Sequence, residues 1–586
     1  MKRLPIAALA SVCLTVVVHA EIGYTVAIVP DPGRLVVTVK VPVTGPVTEF
    51  QMPRWAPGAY VLRDFANGVS DFAAQGDGKV LDFTKPDANT WRVNSKGLKE
   101  VVATYSVGSV PIDGVVHYSG PSTYMYVVGR KQESCLLGLD TDWPVAVGLN
   151  EVPGQTHVFK AHDYDTLADN PVSAGAFRKA TYVVKGKLHE IVLRNRAKAD
   201  VDLDYLTKAC RHITEAQVAF WGAMPYDKYV WHFAVNDAPD GAGGLEHLSS
   251  TQISLGSGIG PSVVHLLSHE FFHLWNVKRV RSAALGPFDY LQLPKTGALW
   301  WLEGVTDYYS NLLLARFGWE SEETFYDVLL NNVNAVRRNQ NRLRISAFDA
   351  SYRVGEAAGG RGNSNGYLIS YYDLGWVVGL LLDIEIRYRS LGRHSLDDVA
   401  RALWAENRDF QPGFDEDRIR RLCVRYGGPT LNEFYNQVVR KPGEIRVEEQ
   451  LAKVGLMIGT RDEPFVDWGF DWNSDREQGY PRVRTPRGPG RGVLESGDIL
   501  MRIANRMPDG RTNRALNVWM TNAAKRVEAN EPLTLRIKRD TRIFDVVVTP
   551  TQEWRKVPRI VPSPEDDAAK TQLRWGWIYG GDPHLR

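Results

Sequence analysis

A chain of 586 residues has room for three or four domains at roughly 150 residues each. Its 70 Lys and Arg balance 68 Asp and Glu, and a net charge of +2 excludes a nucleic-acid partner held through a basic stripe. With 44% hydrophobic and 24% charged residues, long disordered tracts are excluded as well, and 17 Trp with 24 Tyr suit β-rich domains and aromatic-lined pockets.

Lys2 and Arg3 precede an almost purely apolar run, 4–18, too short to span a bilayer comfortably. Val18 and Ala20 then offer small residues at the positions a signal peptidase reads. Residues 1–20 are therefore expected to be a signal peptide cleaved before Glu21, which exports the protein to the periplasm or beyond. No later run approaches 18 apolar residues, so the mature protein is expected not to span a membrane. Cys135, Cys210 and Cys423 are widely spaced and form neither a disulfide framework nor a metal-ligand pattern. They read as buried small apolar side chains.

Residues 21–190 are predicted to be a β domain, because β-branched runs at 24–29, 35–41 and 101–107 alternate with Gly- and Pro-rich turns. From 191 to 442 the period turns helical. Helices are predicted over 201–221, 261–280, 299–317, 320–337, 367–390, 396–406 and 415–426, with a short strand at 229–235. This block reads as α+β. Residues 443–560 return to short strands around a helix at 515–528, and 561–586 read as a C-terminal tail.

His269-Glu270-Phe271-Phe272-His273 is the strongest chemical signal. Residues i and i+4 share a helix face about 6 Å apart, so two imidazoles can converge on one Zn²⁺. Glu270 stands beside that metal without ligating it and can take a proton from water and pass it to a leaving amine. About thirty residues on, a further helix carries Glu303, a candidate third ligand, and Asp307, which can hydrogen-bond the far nitrogen of a ligand His. His265, one turn before His269, lies some 80° from His273 around a straight helix and reads as structural.

A Glu with Asp four residues later, after HExxH, resembles the gluzincins, of which thermolysin is one. Gly243-Gly244-Leu245-Glu246-His247 resembles the Gly-x-Met-Glu-Asn strand of gluzincin aminopeptidases, which implies that Gly243 and Gly244 lie along the substrate and that Glu246 binds its free α-amino group. Tyr371-Tyr372-Asp373-Leu374-Gly375 resembles the same enzymes' Tyr-x-Lys-Gly stretch, with Leu374 in place of Lys. That implies an oxyanion-stabilising phenol at Tyr372, with Tyr371 the alternative. Taken together, His269 to Arg281, Trp301 to Tyr309 and Gly243 to His247 resemble the glycyl aminopeptidase-type metallopeptidases that carry a C-terminal PDZ domain. Met52 to Tyr60 with Arg63-Asp64-Phe65 is similar to that family's β domain, and Ser496-Gly-Asp-Ile-Leu500 to a PDZ strand pair, with Val454 to Ile458 a loose stand-in for its carboxylate loop.

The resemblance implies three parts: an N-terminal all-β domain, a thermolysin-like catalytic domain over 191–442, and a PDZ-like domain over 443–560 able to meet a peptide or the chain itself. It implies one Zn²⁺ per chain, a peptide substrate with a free N-terminus, and removal of N-terminal residues, Gly and Ala favoured. The rival readings are an endopeptidase of the same fold, or an inactive peptidase-fold binding protein. Retention of His269, Glu270, His273 and Glu303 weighs against the second.

Overall fold

The computed structural model describes residues 21–580 except 32, 110, 196–200, 237–241, 257–260, 355–368, 409–412, 475–479, 505, 508–512 and 525. The expected signal peptide therefore lies outside the described residues.

The N-terminal domain is all β, as its turns and alternation require. Along Arg34–Pro42 every second side chain points inward, and Leu35, Val37, Val39 and Val41 are fully buried. Each contributes about 1.5–3 kcal/mol relative to exposure. An eight-stranded sheet built around Ile22–Val29 and Arg34–Pro42 shares one core with a four-stranded sheet that includes Val47–Gln51 and Thr90–Asn94. A three-stranded sheet, with Val172–Gly175 at its centre, completes the domain.

The expected boundary at 190 is displaced. Arg178–Val184 and Lys187–Asn195 form a hairpin, and its second strand pairs in parallel with Lys228–Val235. The hairpin thus belongs to the next domain's five-stranded sheet, whose other members are Ser250–Leu255 and, at one edge, Gly243–Glu246. Its β-branched texture is indistinguishable from the preceding strands, so the boundary expected at 190 cuts through its second strand.

Helices pack onto that sheet. Leu203–Trp221, Glu322–Arg338, Tyr371–Arg389, Leu396–Asn407 and Arg418–Gly427 fall where the period places them. The expected helix over 261–280 ends early, as Pro261–Phe272, and its successor begins with a π-helical turn, Trp300–Val305, before Thr306–Arg316. Cys135, Cys210 and Cys423 are free and buried. Among the described residues no helix is long and apolar enough to cross a membrane.

Beyond the short helix Val447–Lys453, Leu456–Asp467 and Thr551–Pro562 pair along their whole length as a two-stranded ribbon. Residues 454–458 open this ribbon rather than a binding loop. Between its arms sits a five-stranded sheet with one helix, Asn513–Ala524, around its own core of Phe470, Leu500, Leu535 and Ile537. The expected tail proves to be structured over Ala568–Tyr579, a helix that returns to the catalytic core. Trp577 is fully buried there, and its indole donates to Tyr308 Oη at 2.7 Å.

Candidate active site

The helix Pro261–Phe272 brings His269 and Glu270 to one end, and the helical bond from His273 N–H to His269 O, 3.3 Å, extends the turn far enough to align His273 with His269. The two Nε2 atoms face each other at 2.8 Å. Glu303 Oε2 lies 3.2 Å from His273 Nε2 and 3.6 Å from His269 Nε2. Donors sharing one tetrahedral Zn²⁺ stand roughly 3.3 Å apart, given bond lengths near 2.0–2.2 Å, so this trio has the spacing of a zinc site.

The far nitrogens are both engaged. His273 Nδ1 donates to Asn276 O at 2.8 Å, and His269 Nδ1 lies 2.7 Å from Asp307 Oδ1. With the protons on Nδ1, both Nε2 lone pairs point at one spot, as a metal requires. Asn276 also ties the two ligand-bearing segments together: its amide donates to Trp301 O at 3.1 Å and Thr306 Oγ1 at 2.9 Å, and its oxygen accepts from the Trp301 indole at 3.1 Å.

Glu303 is carried by the π-helical turn, a distortion that recurs at functional sites. Two glycines let that turn meet the Tyr371–Arg389 helix. A Cβ on Gly375 would lie 2.2 Å from Trp300 O, and one on Gly304 would lie 2.5 Å from the Gly375 Cα. The same contact brings the two tyrosines to the site. Tyr371 is buried in the core, whereas Tyr372 is half-buried with its ring 6.0 Å from that of His269.

Glu246 ends the edge strand Gly243–Glu246, and an oxygen of its carboxylate lies within 4.8 Å of ligand-type atoms of both Glu270 and His273. A Cβ on Gly244 would lie 2.2 Å from Glu270 Oε1, so any larger residue there would have to displace the Glu270 carboxylate. No contact requires a glycine at 243. Asp169, from the N-terminal domain, anchors the turn after Glu246 by accepting from Lys278 Nζ at 2.7 Å and from Leu248 N–H at 2.8 Å, with His247 Nδ1 at 3.0 Å.

Sequence reasoning placed Met52 to Tyr60 only as part of a β domain. In the fold this segment covers Glu246: a Cβ on Gly58 would lie 2.7 Å from its carboxylate, and Tyr60 is buried with φ +46°. The signal was the glycine between Pro57 and Ala59, which alone could not name its neighbour. His265 is turned elsewhere, with Nε2 2.6 Å from Glu320 Oε1.

Burial pushes the Glu270 carboxyl up to about 7; His269 and His273 oppose this, while Glu246 and Glu303 add to it. For Glu303, burial is outweighed by the two imidazoles, which hold it well below the usual carboxylate range. His269 is raised, against burial, chiefly by Asp307. Buried carboxylates so crowded need cations nearby.

Residues 262–378 match the family model of the M61 glycyl aminopeptidases, and residues 23–176 match that of the peptidase M61 N-terminal domain. These matches mark a peptidase. The first takes in every residue of the histidine–carboxylate centre together with Tyr372, and the second ends at the observed domain boundary. Among solved structures, an aminopeptidase N family protein from Idiomarina loihiensis shares the fold at 21% identity, with 95% of this chain and 100% of that one covered and a TM-score of 0.73. An M1 zinc metallopeptidase from Deinococcus radiodurans is 11% identical over 73% of this chain and 95% of its own, with a TM-score of 0.45. No curated protein matches the chain.

Proposed function

We propose that the chain is an exported zinc aminopeptidase that removes small N-terminal residues, Gly or Ala, from peptides. The observation that carries this reading is the convergence of His269, His273 and Glu303 on one point, with Glu270 and Glu246 both beside it. Bound there, zinc supplies Lewis acidity to the scissile carbonyl and the attacking water. Glu270 accepts the water's proton and delivers it to the leaving amine, a task suited to a carboxyl with a raised pKa. The Tyr372 phenol donates to the oxyanion of the tetrahedral intermediate. Glu246 pairs with the substrate ammonium in a charge-assisted hydrogen bond.

The covering of Glu246 by Gly58 and Tyr60 favours an exopeptidase, since an extended chain could not continue past that wall. Gly243–Glu246 stands at the edge of its sheet, a position that suits a substrate added as a further strand. In the C-terminal unit, the sheet with one helix is compatible with a PDZ-like module, and the apolar run at 4–18 supports export. Elemental analysis tests the centre: the reading expects one zinc per chain, with activity lost on chelation and restored by zinc. Purified active protein without a stoichiometric transition metal would contradict it.

A further inference from the structure

Next to Glu246 lies a recess bounded by Trp55, Gly58, Tyr60, Val277 and Phe288, with a free volume of only about 10 Å³. That is room for about one water molecule. Behind it, between the N-terminal and catalytic domains, lies a chamber of about 440 Å³, a volume within the range of small-molecule sites. Gln132, Asp163 and Asp165 line its N-terminal side, and Lys278 and Arg281 line the side they share with the recess. Phe288 borders both spaces.

The ring of Phe288 is held from several directions. It packs edge-on to Trp55 with centroids 6.0 Å apart, lies 6.0 Å from Tyr290, and faces the Arg281 guanidinium at 5.3 Å. Its segment is stitched to the N-terminal domain: the Trp55 indole donates to Asp289 O at 2.8 Å, Arg54 N–H donates to Tyr290 O at 2.9 Å, and Lys131 donates to Phe288 O. A side chain fixed in this way acts as a wall and not as a swinging gate.

We propose that Phe288 is a specificity-determining partition: it closes the space open to the first residue's side chain beside Glu246 and keeps that side chain out of the chamber behind. This rests on the aminopeptidase reading above. In this proposal, a first residue whose ammonium meets Glu246 places its side chain in the recess that Glu246 and Phe288 both line. Gly and Ala fit there. Longer side chains meet the Phe288 ring, although a cavity of about 440 Å³ lies just beyond it.

The test is a kcat/KM panel on fluorogenic amides of Gly, Ala, Met and Leu, run on the wild type, Phe288→Ala and Phe288→Leu. Gly and Ala should exceed Met and Leu by at least 100-fold in the wild type. The Met-to-Gly ratio should rise at least tenfold in Phe288→Ala and by a smaller factor in Phe288→Leu, the milder change that covers the case in which the Ala variant folds poorly. A wild type that cleaves Met and Gly amides equally well would overturn the proposal without any variant. So would an unchanged ratio in whichever variant still cleaves the Gly amide. Comparison of free with N-acetylated Gly peptide on the same wild-type preparation separates the two levels. If the blocked peptide is cleaved equally well, the aminopeptidase reading fails and the partition falls with it. If only the free peptide is cleaved and the ratios do not move, the partition alone is refuted.

Discussion

Glu270 is the residue on which turnover should depend most steeply. It stands within 4.8 Å of His273 and Glu246, beside the candidate metal-binding trio of His269 Nε2, His273 Nε2 and Glu303 Oε2. Glu270→Gln keeps shape and hydrogen bonding but cannot accept the proton. It should retain one zinc per chain by elemental analysis and lose about 10²–10⁴ in kcat. Loss of zinc in parallel with activity would instead place Glu270 among the ligands. At this scale the sequence was most informative. The i, i+4 spacing of two histidines dictates convergence wherever a helix forms, whereas Glu303 and Asp307, on a later helix, were pointed to by the resemblance to the gluzincins. Gly58 and Tyr60 were not legible in that way, because their approach to Glu246 depends on how two domains dock, which no local spacing encodes.

Elements place these residues, and their crossing points are the sensitive ones. The π-helical turn Trp300–Val305 meets the Tyr371–Arg389 helix backbone to backbone through Gly304 and Gly375. Gly375→Ala would set a Cβ 2.2 Å from Trp300 O, so the two elements must part. The cost should be about 1–3 kcal/mol in stability, the usual range for overpacking. Glu303 and Tyr372 should move with the elements, so the melting temperature and zinc affinity should fall together; a variant with both unchanged would show that the crossing has slack. The sequence predicted an unbroken helix over 299–317 because its apolar texture is continuous, and one extra residue in a turn leaves no trace in such a pattern. The boundary expected at 190 cut through the second strand of the 178–195 hairpin for a related reason. Strand texture reports burial, and burial is the same on either side of a boundary.

Across the whole molecule, the C-terminal helix closes the catalytic domain. Arg316 and Arg387 both bond to Asp397, at 2.9 and 3.4 Å, and both also donate to backbone carbonyls of Ala568–Tyr579, at Trp577 and Gly576. A tail of this kind is hard to foresee, because a dozen residues with one Trp buried at the far end of the chain show no period of their own. Trp577→Ala removes a fully buried ring and its hydrogen bond to Tyr308, and should cost about 3–5 kcal/mol, read as a lower unfolding midpoint in denaturant. An unchanged midpoint would show the helix to be peripheral. The same network sets an acid limit. Burial alone would raise the Asp397 carboxyl, but Arg316, Arg387 and Arg401 outweigh it and hold the group down to about 2, below its ordinary 3.8. A depressed folded-state value stabilises the fold above the unfolded-state value, and that contribution is lost as pH falls from about 4 towards 2. Asp397→Asn should therefore flatten the dependence of stability on pH in that window, and an equally steep dependence in the variant would assign the acid limit to other carboxylates.

The central claim is that Glu246 receives the free amine of the substrate. It is tested most directly by kcat/KM for one Gly-initiated peptide, free and N-acetylated, on the wild type and on Glu246→Ala. A charge-assisted hydrogen bond worth about 1.5–3 kcal/mol predicts a roughly 10- to 100-fold loss for Glu246→Ala on the free peptide. Acetylation should cost the wild type at least as much, and the variant far less, since its carboxylate is already gone. Equal cleavage of blocked and free peptide by the wild type would contradict the account and leave an endopeptidase in its place.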